Sequence, residues 1–193
     1  MGKTEQDDLQ ETVVRALPAN MLELVKFFGR MPSSKMISDN VLCVSSGIPS
    51  MEFNFALSLQ AEERSLDNDI ERAKSFFAAE KVPFLWWVIP GDGRQLLEGS
   101  LPRHNFKEIV SAPCMAVEVD KIPRFTPDPD FKFHLVEDQE QLEVWAQTAF
   151  TGFELKPQAR KKFFESVNNF DIVHSHQLFL YLGSMGDLPV STS

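Results

Sequence analysis

Two histidines one residue apart, His174 and His176, are the first residues whose spacing suggests chemistry. At a strand entrance alternate residues point to the same side, so the pair would offer two imidazoles to one metal ion, with His134 on an adjoining strand as a third ligand. Without a carboxylate or cysteine at a fixed spacing beside it, the pair is better described as solvent-facing histidines. The second candidate is Gly91-Asp92-Gly93-Arg94, a glycine turn between an apolar run and a helix, where backbone N–H groups can receive an anion. Asp92 sets negative charge where a phosphate would sit and Pro90 withdraws a donor, so an ordinary turn is favoured over the anion site. Nucleophilic chemistry finds no support. Cys43 and Cys114 lie far apart, neither has a neighbouring histidine in sequence, and no Gly-x-Ser-x-Gly elbow occurs. With no Cys-x-x-Cys pair, both cysteines read as small buried hydrophobes rather than disulfide or zinc ligands.

Composition narrows the classes further. The chain has 193 residues, 43% of them apolar, with 17 Phe and 3 Trp, enough for a packed core in one large domain or two small ones. Its 28 acidic and 19 basic residues give a net charge of −9, which repels nucleic acid and anionic membranes. No stretch approaches the roughly 20 apolar residues that a membrane-crossing helix needs. The start, Met1 to Asp8, is acidic and lacks an apolar signal core, so a cytoplasmic protein is expected.

The elements that would position these residues follow from periodicity. Leu9, Val13, Val14 and Leu17 fall at helical spacing, Pro18 interrupts, and Asn20 caps a second helix bearing Leu22, Val25 and Phe28. Val41–Val44 and Met51–Leu57 read as a hairpin with one buried face, Phe53, Phe55 and Leu57 alternating against Asn54 and Ala56. Ser65 or Asp67 caps a helix through Ile70, Ala73, Phe76 and Phe77 up to Lys81. Phe84 to Ile89 is apolar on both faces and reads as a central parallel strand, followed by a short helix from Gln95 to Leu101 and another strand from Ala112 to Val119.

Lys121 to Asp130, with Pro123, Pro127 and Pro129 among charges, reads as a linker. Beyond it come a strand at Phe131–Val136, a helix capped by Asp138 with the stripe Leu142, Trp145, Ala146, Ala149 and Phe150, and a second helix from Pro157 to Val167. Arg160-Lys161-Lys162 reads as a solvated basic face. A hairpin ends the chain, with a strand at Gln177–Leu182, a turn at Gly183–Asp187 and a returning strand at Leu188–Thr192.

The order strand, helix, helix, strand, strand after Asp130 resembles the opening of a GNAT acetyltransferase domain. Leu188-Pro189-Val190-Ser191-Thr192 looks like that fold's third strand. Val82 to Val88 and Ala112 to Ala116, with Asn105-Phe106 between them, resemble the N-terminal half of tandem GNAT proteins, whose degenerate first module precedes a catalytic one. The resemblance implies an α/β protein with mixed sheets: residues 1–122 would hold the N-terminal helices and a degenerate GNAT-like module, and 131–193 the first half of a second. It also implies acetyl transfer from acetyl-CoA to the amine of a small molecule or peptide. In that family the coenzyme is held by an Arg/Gln-x-x-Gly-x-Gly/Ala loop, which this chain lacks, so an incomplete portion, inactive alone, is expected. The two helices after the first strand usually wall the acceptor pocket. The resemblance therefore points to Phe150, Phe153 and Glu154 as acceptor contacts, residues that also read as core aromatics and a solvated carboxylate. The competing expectation is a non-catalytic binding or assembly module whose open strand edge at Val190–Thr192 pairs with another chain, as in a homodimer.

Overall fold

In a computed structural model of the chain, residues 5–91, 93–113, 117–122, 126, 128–167, 173 and 178–193 are described, with side chains other than those of residues 5–10, 15 and 119. The chain divides into two compact units, Met1–Ala116 and Val117–Ser193.

The first unit begins with one helix, α1 (Glu5–Gly29), that runs through Pro18. Two helices were expected. A proline cannot donate to the carbonyl four residues earlier, here that of Val14, but Val14 stands 41% exposed on the helix surface, where solvent is available to stand in for the lost donor. Strands β1 (Lys35–Ser38), β2 (Val41–Ser45), β3 (Asn54–Ser58) and β4 (Leu85–Trp87) form a sheet in that order, antiparallel except for the parallel pair β3/β4. Helix α2 (Leu66–Glu80) makes the crossover between β3 and β4, and α3 (Arg94–Ser100) follows. The C-cap of α2, Lys81, takes a left-handed φ of 57° and donates its N–H to Phe77 and Ala78.

The β2/β3 hairpin differs from expectation in having both faces covered. One face packs Leu42, Val44 and Phe55 against Val25 of α1, and the other packs Val41, Cys43 and Ala56 against Ala73 and Phe77 of α2. Asn54, expected on a polar face, is fully buried. Burial pushes the Cys43 thiol up to about 12, so at neutral pH it is a protonated, unreactive filler. The apolar run at β4 is correctly a parallel strand, but it lies at the end of the sheet and not at its centre. Its two tryptophans explain the run. Trp86 packs with the α2-side residues and Trp87 crosses Phe55 on the α1 side, so each face of β4 has its own cover. Ala112, Pro113, Val117 and Glu118 are not in a strand, and Cys114–Ala116 lie outside the described residues.

The second unit holds β5 (Phe131–Leu135), α4 (Gln139–Gly152), α5 (Pro157–Val167), β6 (Tyr181–Met185) and β7 (Leu188–Thr192), with an antiparallel sheet in the order β5-β6-β7. Asp138 caps α4 by accepting from the Gln141 N–H at 2.8 Å, while the Gln141 side chain accepts from the Glu137 N–H at 2.8 Å. The terminal hairpin is shifted from its expected register. Gly183 and Ser184, composed like a turn, lie inside β6, and the connection is only Gly186-Asp187, with Gly186 at φ +55° as a primed hairpin turn requires. Gly183 sits where a Cβ would overlap the Ser191 hydroxyl and stand 2.9 Å from the Phe131 ring. Its function is close approach within the sheet. Arg160, expected on a solvated basic face, donates to the carbonyls of Leu155 (3.0 Å) and Phe150 (3.4 Å), bonding to the chain around the end of α4.

Candidate functional site

Helix α4 is amphipathic, and its two faces have different uses. Leu142, Ala146, Ala149 and Phe150 are buried. Glu140, Glu143, Gln147, Thr148 and Thr151 recur at helical spacing on another face and line an open groove of about 930 Å³, closed on its other sides by Phe164 of α5 and by Pro189 and Val190 of β7. The Trp145 indole N–H donates to the Ser193 carbonyl at 3.4 Å, joining α4 to the end of the chain beside this groove.

The polar side of the groove, opposite the apolar Phe164, Pro189 and Val190, presents mostly acceptors. The hydroxyls of Thr148 and Thr151 donate to the carbonyls of Val144 and Gln147, each at 2.8 Å, so only their lone pairs remain for a ligand. Glu140 and Glu143 supply carboxylates, and the lining contains neither histidine nor cysteine. Such a surface favours a cationic hydrogen-bond donor, an ammonium above all, and carries no general base with an ordinary pKa near neutrality.

The residues expected to contact an acceptor separate. Phe150 is 2% exposed and packs edge-to-face on Phe163 and Phe164, at ring-centre distances of 5.0 and 5.8 Å. Phe153 is 68% exposed just past the end of α4, next to Glu154, which is also exposed and has a left-handed φ of 52°. Phe164 links the two settings, since it both packs on Phe150 and lines the groove. Sequence reasoning missed Glu140, Glu143, Gln147 and Thr148, although their period on α4 was there to be read. Of the histidines considered as metal ligands, His134 is exposed on β5, while His174 and His176 lie outside the described residues. No metal-binding group of three or more His, Cys, Asp or Glu occurs among the described residues.

A coenzyme pyrophosphate would need a strand-to-helix turn rich in backbone donors and free of negative charge. The β3–α2 turn carries Glu62 and Glu63, with Asp67 and Asp69 in the first helical turn. At the turn before α3, the Arg94 guanidinium is held by Glu98 at 2.7 Å. Neither fits the group. Among the described residues no helix is long and apolar enough to cross a membrane.

These units, a mixed sheet with a parallel crossover and a strand–helix–helix–strand–strand unit, make an α/β fold like that of the GCN5-related N-acetyltransferases. A GCN5-related N-acetyltransferase from Kribbella flavida matches 93% of this chain with a TM-score of 0.58 and 17% sequence identity. The chain spans 65% of the length of that structure's chain. No protein-family profile and no curated protein sequence matches it.

Proposed function

We propose that the chain carries the acceptor side of a GNAT-type N-acetyltransferase, with the groove beside α4 receiving a primary amine of a small molecule or peptide. The observation that carries this reading is the acceptor-rich polar side of the groove, two carboxylates with two threonine hydroxyls already donating elsewhere, beside the single amide of Gln147. Phe153 and Glu154 would meet the body of the acceptor at the end of α4, and Phe150 would set the position of Phe164 from beneath. The GNAT-like fold supports acetyl-CoA as the donor, which supplies the acetyl group. The β3–α2 and β4–α3 turns do not suit its pyrophosphate, and the β5–α4 turn carries Glu137 and Asp138, so the chain by itself is proposed to bind the amine without transferring an acetyl group. The first unit, with acidic residues at the start of α2, then serves as a degenerate module.

The test is a titration of the ¹⁵N-labelled chain with a lysine-containing peptide and with its Nε-acetylated form. The free amine is expected to shift α4 resonances and the acetylated form is not. The double variant Glu140→Gln/Glu143→Gln is expected to weaken binding about three- to tenfold, as loss of two exposed charges implies. Equal binding of both peptides would overturn the reading of the groove, and micromolar binding of acetyl-CoA would overturn that of the turns.

A second reading, assembly through the β7 edge, is favoured by one observation. Strand β7 ends the sheet with Leu188 and Val190 exposed. Pro189 and the register shift opposite Gly183/Ser184 shorten the edge available for pairing, which limits this reading to a short contact such as a homodimer. Sedimentation at millimolar concentration decides it: a dimer that Val190→Lys dissociates supports assembly, and a strict monomer removes it.

A further inference from the structure

His104 ends the 3₁₀ turn Leu101–His104, which follows directly on α3. Its two ring nitrogens lie on two carboxylates of α2: Nε2 is 2.9 Å from Asp67 and Nδ1 is 2.8 Å from Glu71. A carboxylate only accepts, so both bonds exist together only when both nitrogens carry hydrogen and the ring is an imidazolium. The neutral ring, in either tautomer, turns one lone pair toward a carboxylate and loses that bond. The positions on α2 are i and i+4, one turn apart, so the pair forms a fixed receptor for the ring. The other charged groups around it are few. Lys74 of α2 bonds to Glu71 at 2.7 Å, and Arg103 of the same 3₁₀ turn lies 3.8 Å from Asp67 and donates to the Ser100 hydroxyl at 2.9 Å.

We propose that His104 is a proton-operated latch, which as an imidazolium holds the segment Arg94–His104 against α2 and on losing its proton loosens it. The segment has an apolar contact to lose. Leu97 and Leu101 pack on Leu66 and Ile70 of α2, with Trp86, Val88 and Phe106 at the margin, and the Trp86 and Phe106 rings meet edge-to-face at 5.8 Å. The latch thus controls access to one side of the core next to β4. It is independent of the amine-binding groove, which belongs to the other unit.

The direction follows from linkage. Hydrogen bonds that the ring donates to Asp67 and then to Glu71 raise the His104 pKa above its ordinary value. The imidazolium is the first cause lowering Asp67, while for Glu71 it comes after Lys74. A group with a raised pKa in the folded state contributes fully below its unfolded pKa, and the contribution disappears as pH rises through the folded one. The latch is closed in mildly acid solution and opens toward alkaline pH.

Hydrogen exchange read by mass spectrometry on peptides covering 93–106 and 66–80, at pH 6 and pH 9 and corrected for intrinsic exchange, tests this. Protection of 93–106 relative to 66–80 is expected to fall about threefold in the unaltered chain, the loss of one charged bond to a solvent-exposed carboxylate. It is expected to stay flat in His104→Gln. The double variant Asp67→Asn/Glu71→Gln should also be flat and should return the His104 Cε1–H titration to an ordinary histidine midpoint. An unchanged ratio in the unaltered chain, or the same fall in His104→Gln, would overturn the proposal.

Discussion

Replacing Asn54 by leucine is expected to lower the stability of the first unit by about 3–5 kcal/mol, although the two side chains are similar in size. Asn54 is fully buried at the start of β3. Its Oδ1 accepts from the Ser46 N–H (3.0 Å) and hydroxyl (3.3 Å), and its Nδ2 donates to the carbonyls of Ile48 (2.9 Å), Ser50 (2.7 Å) and Pro83 (2.9 Å). The amide thereby closes the connection between β2 and β3 and ties it to the residue before Phe84. Leucine would leave the Ser46 N–H without its acceptor and the Pro83 carbonyl without this donor, while the carbonyls of Ile48 and Ser50 keep the N–H groups of Ser50 and Phe53; a buried group left unpaired costs about 1–3 kcal/mol before relaxation. Urea unfolding followed by tryptophan fluorescence reports it, since Trp86 and Trp87 lie in this unit. A loss below about 1 kcal/mol would mean that solvent reaches the connection and replaces the amide.

The second large effect is expected at Phe150. Truncation to alanine should cost the second unit about 3–5 kcal/mol, because a buried ring leaves a cavity that its neighbours fill only in part. Phe163 and Phe164 are those neighbours, and the Phe150 carbonyl also receives Arg160. Phe153→Ala provides the contrast. Its ring is exposed, so the expected change is within about 0.5 kcal/mol. The comparison separates packing from recognition: Phe150→Leu, which restores much of the volume, should keep amine binding, whereas Phe153→Ala should weaken it without loss of stability. Thermal unfolding and peptide titration on the three variants give both readouts. Weaker binding in Phe150→Leu with stability retained would place Phe150 in direct contact with the amine.

How much of this was legible before the structure depends on how local each cause is. The stripe Ile70, Ala73, Phe77 and the cap at Asp138 were readable because a helix repeats its environment every three to four residues. The order of elements after Asp130 was readable from periodicity as well, although β6 begins later than the run that announced it. Asn54 was not. An asparagine in a strand pattern signals a wet face, and only the packing of α1 and α2 on opposite sides of the same sheet reverses that. Gly183 misled in a similar way, because its space is required by Ser191 across the hairpin and by Phe131, which is far from it in the chain. The groove was half legible: the polar period of α4 is in the sequence, but Phe164, Pro189 and Val190 meet it only through folding.

His104 is the clearest case of a feature no local pattern carries, since its partners stand 33 and 37 residues earlier. By itself the amino-acid sequence determined most of the elements and their order, because these rest on hydrophobic period and on turn chemistry between neighbours, and the likeness to the GNAT fold came with it as a resemblance; it divided α1 in two and set a strand near Ala112 where the described residues have none. Tertiary structure decided which polar residues are enclosed, which face of α4 stays open and which charges meet. Those outcomes depend on distances between residues remote in the chain, and they set the desolvation and hydrogen bonding from which binding and titration follow.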